Sequence, residues 1–455
     1  MHGQKRVVIV RFYRKLYKYL LFLYLMRESI NIWNPWWADK GLIKELTKLK
    51  RESVCELAKS IKLRHVKDIL GLRRAGKTTL IYQLIEHLLD KGIDAKNLLY
   101  LNLEDPVFVD KSIEEILSQV EIVNPQIKYL FLDEIQQIDG WERGIRKIYD
   151  LNKFKQIFIS GSSASLISRD IGNLLTGRHL TKIIFPFSFR EYLASEGVIN
   201  LKLDSLYLIK NKVLFHLSRF LEVGGMPETI GLEEIERKEV LIHVYQDILL
   251  RDIIGRFNLD FEILSKIANY LVSNFCNEFS YRKMASNLGL HYDTIKRYVP
   301  LLKESFLIYE LPLFDYKLKI QYKQNKKIYC IDNGLRNAVS FKFSRDEGKL
   351  AENLVFVELK RRKKEVYYWK NQKQQEVDFI IKNRDQSLNA INVSYTNDID
   401  EREIKGLIEF KSMFKKCKNL VILTKDLEKE EVIGKRKIKF IPLWKWLLHE
   451  EPALQ

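Results

Sequence analysis

The chain has 455 residues, 46% apolar and 30% charged, which leaves room for roughly two to four globular domains with cores of their own. Its formal net charge of +18 favours an anionic partner such as nucleic acid, unless it only reflects solubility or a basic cellular background. Cys55, Cys276, Cys330 and Cys417 are scattered without a C-x-x-C pair, and the eight histidines show no metal-ligand spacing. Neither a zinc module nor a disulfide scaffold is implied, and a reducing cytoplasm is the expected location.

Residues 1–40 read as an N-terminal extension. "YKYLLFLYLM" at 17–26 is apolar and follows basic residues, but it is too short to span a bilayer and lacks a small-residue cleavage site. No membrane span is expected. The stretch fits an amphipathic surface helix, a core helix, or an extension from an upstream start codon. The tryptophans of "NPWWADKG" at 34–41 either pack against the following domain or help to hold an adenine.

Residues 41–200 alternate strand-like and helix-like segments. "HVKDIL" at 65–70 is a mediocre strand, because Lys67 and Asp68 interrupt it. "GLRRAGKTTL" follows, with Gly71 and Gly76 bracketing four residues and Lys77 and Thr78 next: the phosphate-cradling pattern G-x-x-x-x-G-K-[ST]. Glycines let consecutive N–H groups turn toward anionic oxygens, and the helix expected over 78–91 presents its N-terminus to them. Lys77 would reach the outer phosphates and the Thr78 hydroxyl would bind Mg²⁺. Gly71, Ala75, Gly76 and Thr79 complete the nucleotide-binding set. Arg73 and Arg74 either touch phosphate or stand as solvated loop residues.

Strands are expected within 97–105, 129–132 and 155–163, with helices over 112–120 and from about Trp141. This order predicts an α/β fold with a parallel sheet, whose ligands gather at the carboxyl ends of the strands. Asp133 and Glu134 fall at such an end. Asp133 would hold Mg²⁺ through water, and Glu134 would orient and deprotonate the attacking water; the alternative is a helix N-cap pair. Ser162 is either a γ-phosphate sensor or a turn serine. Arg178 is either a surface residue or a cation for transition-state charge, acting in cis or from a neighbouring subunit.

The segments GLRRAGKTTL, YLFLDEIQQIDGWE, FISGSSASLI, TGRHLTKIIFPFSFREYL and VGGMPETI together resemble a large family of archaeal and bacterial AAA-type ATPases. The resemblance spans about residues 40 to 395. It implies an additional-strand P-loop core of the AAA type, a catalytic glutamate, ATP rather than GTP, arginines suited to a homo-oligomer, and a winged-helix and nuclease-like tail.

Residues 201–265 read as a helical lid or linker, where Arg251 and Asp252 form a helix-surface ion pair or reach the nucleotide region. Over 266–325, "SYRKMASNLGL" and "HYDTIKRYVPLLKESF" read as two helices around a glycine turn, with Pro300 interrupting or kinking the second and "LIYELPL" as a wing strand. Tyr292, Thr294, Lys296 and Arg297 lie where a recognition helix meets DNA; a protein contact or internal packing is the other reading. Residues 326–455 carry "VYYWK", "EVDFII" and "AINVSY" as strands and resemble the restriction-endonuclease-like core, with Glu352 and Asp378 matching its acids. Where that family has Glu-x-Lys, this chain has Asn392, Val393 and Ser394. Ser394 cannot replace a cationic group, so the nuclease site reads as degenerate. Glu376 reads as an exposed strand residue.

The leading expectation is a Mg²⁺-dependent ATPase coupled to a winged-helix and nuclease-like module, with DNA or another protein as partner. A slow nucleotide-controlled DNA-binding regulator and an ATP-gated, metal-dependent nuclease are the alternatives.

Overall fold

The computed structural model describes residues 17, 21, 23–163, 177–199, 202–340 and 346–449. Most of the N-terminal extension, and positions 164–176 within the family-like segments, lie outside the described residues. The chain divides into two compact units, residues 1–71 with 76–184, and residues 72–75 with 185–455. The five segments expected from the sequence therefore group into fewer bodies, and everything after Ile184 clusters together.

The first unit is built on a parallel sheet of β1 (Val66–Gly71), β2 (Leu98–Asn102), β3 (Tyr129–Asp133), β4 (Gln156–Gly161) and β5 (His179–Ile184), in the order β2-β3-β4-β1-β5. β4 separates the strand that carries the acids from the strand that leads into the phosphate loop. The two polar residues of β1 are buried without breaking it, because each finds partners. Lys67 Nζ donates to the carbonyls of Leu63 (2.7 Å) and His65 (2.8 Å). Asp68 meets His179 Nδ1 at 2.5 Å and accepts from the Thr181 hydroxyl at 3.0 Å. Burial pulls the Lys67 ammonium down to about 8 and pushes the Asp68 carboxyl up.

The helix Lys77–Asp90 turns Leu80, Ile81, Leu84, Ile85 and Leu88 onto one face of this sheet, against Tyr100, Phe131 and Phe158. Phe131 and Phe158 stack with ring centroids 4.6 Å apart. A helix over 23–33 leads to the tryptophan cluster, which packs on the edge strand. Trp36 is buried in the same core, and the Nε1 of Trp36 and Trp37 donate to the Leu98 carbonyl at 3.2 and 2.8 Å. Asn34 completes the edge by bonding both the N–H and the C=O of Tyr100, at 2.7 and 2.8 Å. An edge strand that would otherwise offer open backbone groups is thereby covered.

The second unit begins with helices, among them Lys210–Val223 and Glu234–Asp247, the latter running into a π-helical turn at Ile248–Ile254. The helices Tyr281–Leu288 and Tyr292–Glu304 follow, joined through Gly289. Pro300 lies inside the second of these and does not end it. β6 (Glu278–Phe279), β7 (Ile308–Leu311) and β8 (Lys326–Cys330) form an antiparallel sheet in the order β6-β8-β7. β8 thus pairs across the boundary expected at 325/326. The last sheet has β9 (Glu365–Lys370), β10 (Glu376–Lys382), β11 (Leu388–Ser394), β12 (Cys417–Thr424), β13 (Lys429–Ile433) and β14 (Arg436–Pro442), ordered β13-β14-β12-β11-β10-β9. Among the described residues no helix is long and apolar enough to cross a membrane.

Candidate nucleotide site and a buried carboxylate cluster

β1 ends at Gly71, where a Cβ would stand 2.2 Å from the Ile184 carbonyl oxygen, so only glycine lets β5 approach. The loop then turns through Arg74 (φ 60°) and Gly76 (φ 92°). Left-handed residues set between right-handed ones aim successive N–H groups into one concavity, the backbone geometry that receives anions. The helix Lys77–Asp90 starts directly after Gly76 and takes no side-chain cap from it. Its positive end faces the loop.

Lys77 is buried, its Nζ donating to the Gly71 carbonyl at 3.3 Å and lying 3.6 Å from Glu134. Thr78 Oγ1 donates to Asp133 Oδ2 at 2.6 Å. Asp133 also accepts from the Tyr100 hydroxyl at 2.8 Å and from the Ser160 hydroxyl. Burial, then the neighbouring Glu134 charge, push the Asp133 carboxyl above its usual range, against the three hydroxyls that favour its ionised form. Glu134 adopts φ 55°, a conformation rare for a side-chain-bearing residue and concentrated at functional sites. It is held there by its N–H on Ser160 Oγ (3.1 Å) and by the Gln136 amide on its carboxylate. Thr79 is half-buried in the first helical turn.

The expected core of the site, Gly71, Gly76, Lys77, Thr78, Asp133 and Glu134, is therefore brought together. Ser162 is buried just past the end of β4, but Ser160, one pleat earlier, is the serine that meets Asp133. Tyr100 belongs to no sequence pattern; it sits mid-strand in β2, and only the β2-β3 neighbourhood makes it a partner of Asp133.

The loop arginines are engaged by carboxylates. Arg73 pairs with Asp252 through two contacts of 3.1 and 3.3 Å. Arg74 pairs with Glu228 at 2.5 and 2.6 Å and lies 3.7 Å from Asp247. Of the two readings for Arg251 and Asp252, the ion pair between them is not formed: Arg251 pairs with Asp247 at 3.2 Å, while Asp252 is buried against Arg73 of the phosphate loop, as the other reading had it. Within one chain Arg178 fits the surface reading and not that of a transition-state cation. Its carbonyl accepts the Val66 N–H, which puts it at the opposite end of β1 from Gly71, and its guanidinium pairs with Asp150 at 3.3 Å.

On the helix Tyr292–Glu304, Tyr292, Lys296 and Arg297 are exposed and Thr294 is half-buried, while Ile295, Tyr298, Val299 and Leu302 face inward.

Glu352, Asp378 and Asn392 come together in the C-terminal part, but Asn392 is a strut. Its Oδ1 accepts the Asp378 N–H at 3.1 Å, and its Nδ2 donates to Glu403 Oε2 at 2.8 Å. Asp378 Oδ2 accepts the Val393 N–H at 2.9 Å. Burial pushes the Glu352 and Glu403 carboxyls up to about 7. Glu376 is not the exposed strand residue expected. It is half-buried and lies 2.5 Å from Lys327 and 3.4 Å from Lys370. Burial raises its carboxyl, but Lys327 more than offsets this and holds it below its usual range.

A family model described as an AAA domain matches residues 63–193, and two described as domains of unknown function, DUF8612 and DUF4143, match 214–346 and 347–446. An uncharacterized protein of Methanocaldococcus jannaschii is 32% identical, over 94% of this chain and 99% of the relative. One of Haemophilus influenzae is 30% identical, over 84% of this chain and 94% of the relative. Among solved structures, the Pyrococcus horikoshii signal transduction ATPase with a tetratricopeptide repeat sensor aligns at 14% identity and TM-score 0.25, over 69% of this chain and 46% of that one. This chain thus spans less than half of that structure. Cdc6p of Pyrobaculum aerophilum aligns at 11% identity and TM-score 0.25, over 70% of this chain and 94% of that one. Neither alignment is close enough to say more than the sheet topology does. The chain belongs to the family of these Methanocaldococcus and Haemophilus proteins, and its N-terminal part is an AAA-type P-loop domain.

Proposed function

We propose that the chain is a Mg²⁺-dependent ATPase that couples nucleotide turnover to a winged-helix and nuclease-like C-terminal module. The observation that carries this reading is the Thr78–Asp133 hydrogen bond of 2.6 Å beside Lys77 and Glu134, which lie 3.6 Å apart. The residues fit both groups. The left-handed turns at Arg74 and Gly76 and the helix N-terminus suit a polyphosphate. The paired hydroxyl and carboxylate of Thr78 and Asp133 suit a hard cation. Mg²⁺, when bound, supplies charge neutralisation on the phosphate oxygens.

The chain's own residues do the rest. Loop N–H groups and Lys77 bind the outer phosphates, and Lys77 exchanges its Gly71 carbonyl and Glu134 for phosphate oxygens. Glu134 is then directed at water and takes its proton as the water attacks. Tyr100 and Ser160 hold Asp133 and the Glu134 backbone in place. An arginine finger would come from another copy, since Arg178 lies at the far strand end within its own chain. A nucleotide-controlled DNA-binding regulator is the second reading, favoured by the exposed Tyr292, Lys296 and Arg297 on one helix.

The test is phosphate release by the purified chain in Mg²⁺, with and without duplex DNA, beside Lys77→Ala. Turnover that the variant loses supports the ATPase, and stimulation by DNA makes nucleic acid the working partner. ATP bound through Lys77 without turnover favours the regulator.

A further inference from the structure

Lys327 leaves β8 and ends among carboxylates from two other elements. Its Nζ lies 2.5 Å from Glu376 and 3.4 Å from Asp378, both on β10, and 3.0 Å from Glu352 on the helix Glu347–Arg361; the side chain is 4% exposed. Tyr329, on the same face of β8, donates its hydroxyl to Glu352 at 2.6 Å. The cluster is closed around these contacts. The second Glu376 oxygen takes Lys370 at 3.4 Å, and the second Asp378 oxygen takes the Val393 N–H at 2.9 Å. Asn392 is committed to the Asp378 backbone and to Glu403.

Carboxylates buried side by side need a cation, which can be a metal ion or an ammonium group. An ammonium carries three N–H donors. Here the acceptors within reach of Nζ are the oxygens of Glu352, Glu376 and Asp378, so those donors are matched within the cluster and none is directed at a substrate. We infer that Lys327 is a built-in cation: its ammonium stands where a divalent ion would otherwise bridge Glu352, Glu376 and Asp378, and the C-terminal part keeps a latent metal site that removing this lysine uncovers. The inference does not depend on the ATPase reading.

The experiment is a Mn²⁺ titration of the full-length, nucleotide-free chain, followed by the electron-spin signal of free Mn²⁺. The unaltered protein, Glu352→Gln, Lys327→Met and the double variant are compared, with folding checked by circular dichroism. The unaltered protein and Glu352→Gln should bind Mn²⁺ alike. Lys327→Met should gain a site at least about tenfold tighter than any in the unaltered chain, and the double variant should lose it. Mn²⁺ should also raise the melting temperature of Lys327→Met and leave that of the unaltered chain unchanged. A folded Lys327→Met that gains no site would overturn the inference. So would an unaltered protein whose Mn²⁺ binding, or Mn²⁺-dependent cleavage of plasmid DNA, disappears in Glu352→Gln. If Lys327→Met does not fold, the first pair decides: equal binding supports the built-in cation and unequal binding refutes it.

Discussion

Asp133 collects hydroxyls from Thr78, Tyr100 and Ser160, each from a different element of the first unit. In the proposed nucleotide cycle Thr78 would turn to the metal, while Tyr100 and Ser160 would keep the carboxylate aimed. Tyr100→Phe removes one of these supports and leaves the ring packing intact. Losing a support behind a metal-binding group typically costs about 10-fold to 100-fold in metal affinity or activity. The expected result is a Mg²⁺ requirement shifted upward by about 10-fold, with Mg²⁺-free ATP binding unchanged. A Mg²⁺ titration of phosphate release checks it, and a merely structural role for Tyr100 would weaken Mg²⁺-free ATP binding as well. The motif residues are legible in the sequence because spacing alone identifies them: Gly71, Lys77 and Thr78 form a local pattern, and Asp133 and Glu134 close an apolar run. Tyr100 and Ser160 are not, because their role depends on which strands become neighbours.

At the scale of elements, β1 is the instructive case. Its sequence makes only a mediocre strand, yet it lies inside the sheet, because Asp68 pairs with His179 of β5 and Lys67 turns back to two carbonyls. The pair sets a pH dependence. The hydrogen bond that His179 Nδ1 donates to Asp68 raises the imidazole above its ordinary 6.5, so the stabilisation is fully present below that value and is lost as pH rises through the folded value. Burial raises Asp68 as well, so its contribution is lost between its ordinary 3.8 and its folded value, and the dependence above pH 6 is assigned to His179. The urea midpoint should fall as pH is raised from about 6 to about 8, and His179→Gln should flatten that fall. A midpoint that rises over this range would contradict the assignment. The same lesson applies to β8: that Asn392 to Ser394 carry no Glu-x-Lys is plain in the sequence. That a lysine from β8 fills the cluster is not, because nothing in the local spacing links Lys327 to Asp378.

Over the whole molecule, the net charge of +18 must be accommodated somewhere. Many lysines and arginines are paired in the structure, but Lys296 and Arg297 are exposed on the helix Tyr292–Glu304. If this face meets DNA phosphates, Lys296→Glu with Arg297→Glu should weaken duplex binding by at least about tenfold and reduce the salt slope by about 2. Fluorescence anisotropy at several salt concentrations reads both, and an unchanged slope would assign the face to protein contacts. The alternation of strand and helix makes the α/β fold readable in the sequence, since period and apolar runs are local properties. The grouping of residues 185–455 into one body is not readable there, because it rests on contacts between segments far apart in the chain, such as Asp332 with the Gly225 N–H at 2.7 Å.

The most direct measurement is single-turnover hydrolysis of Mg-ATP by Glu134→Gln beside the unaltered chain, with ATP binding measured on the same samples. The left-handed Glu134, 3.6 Å from Lys77 and held by Ser160 and Gln136, is assigned the water and its proton. ATP affinity should stay within about threefold, and the hydrolysis rate should fall by about 100-fold or more. A variant that binds and hydrolyses ATP as fast as the unaltered chain would contradict the account.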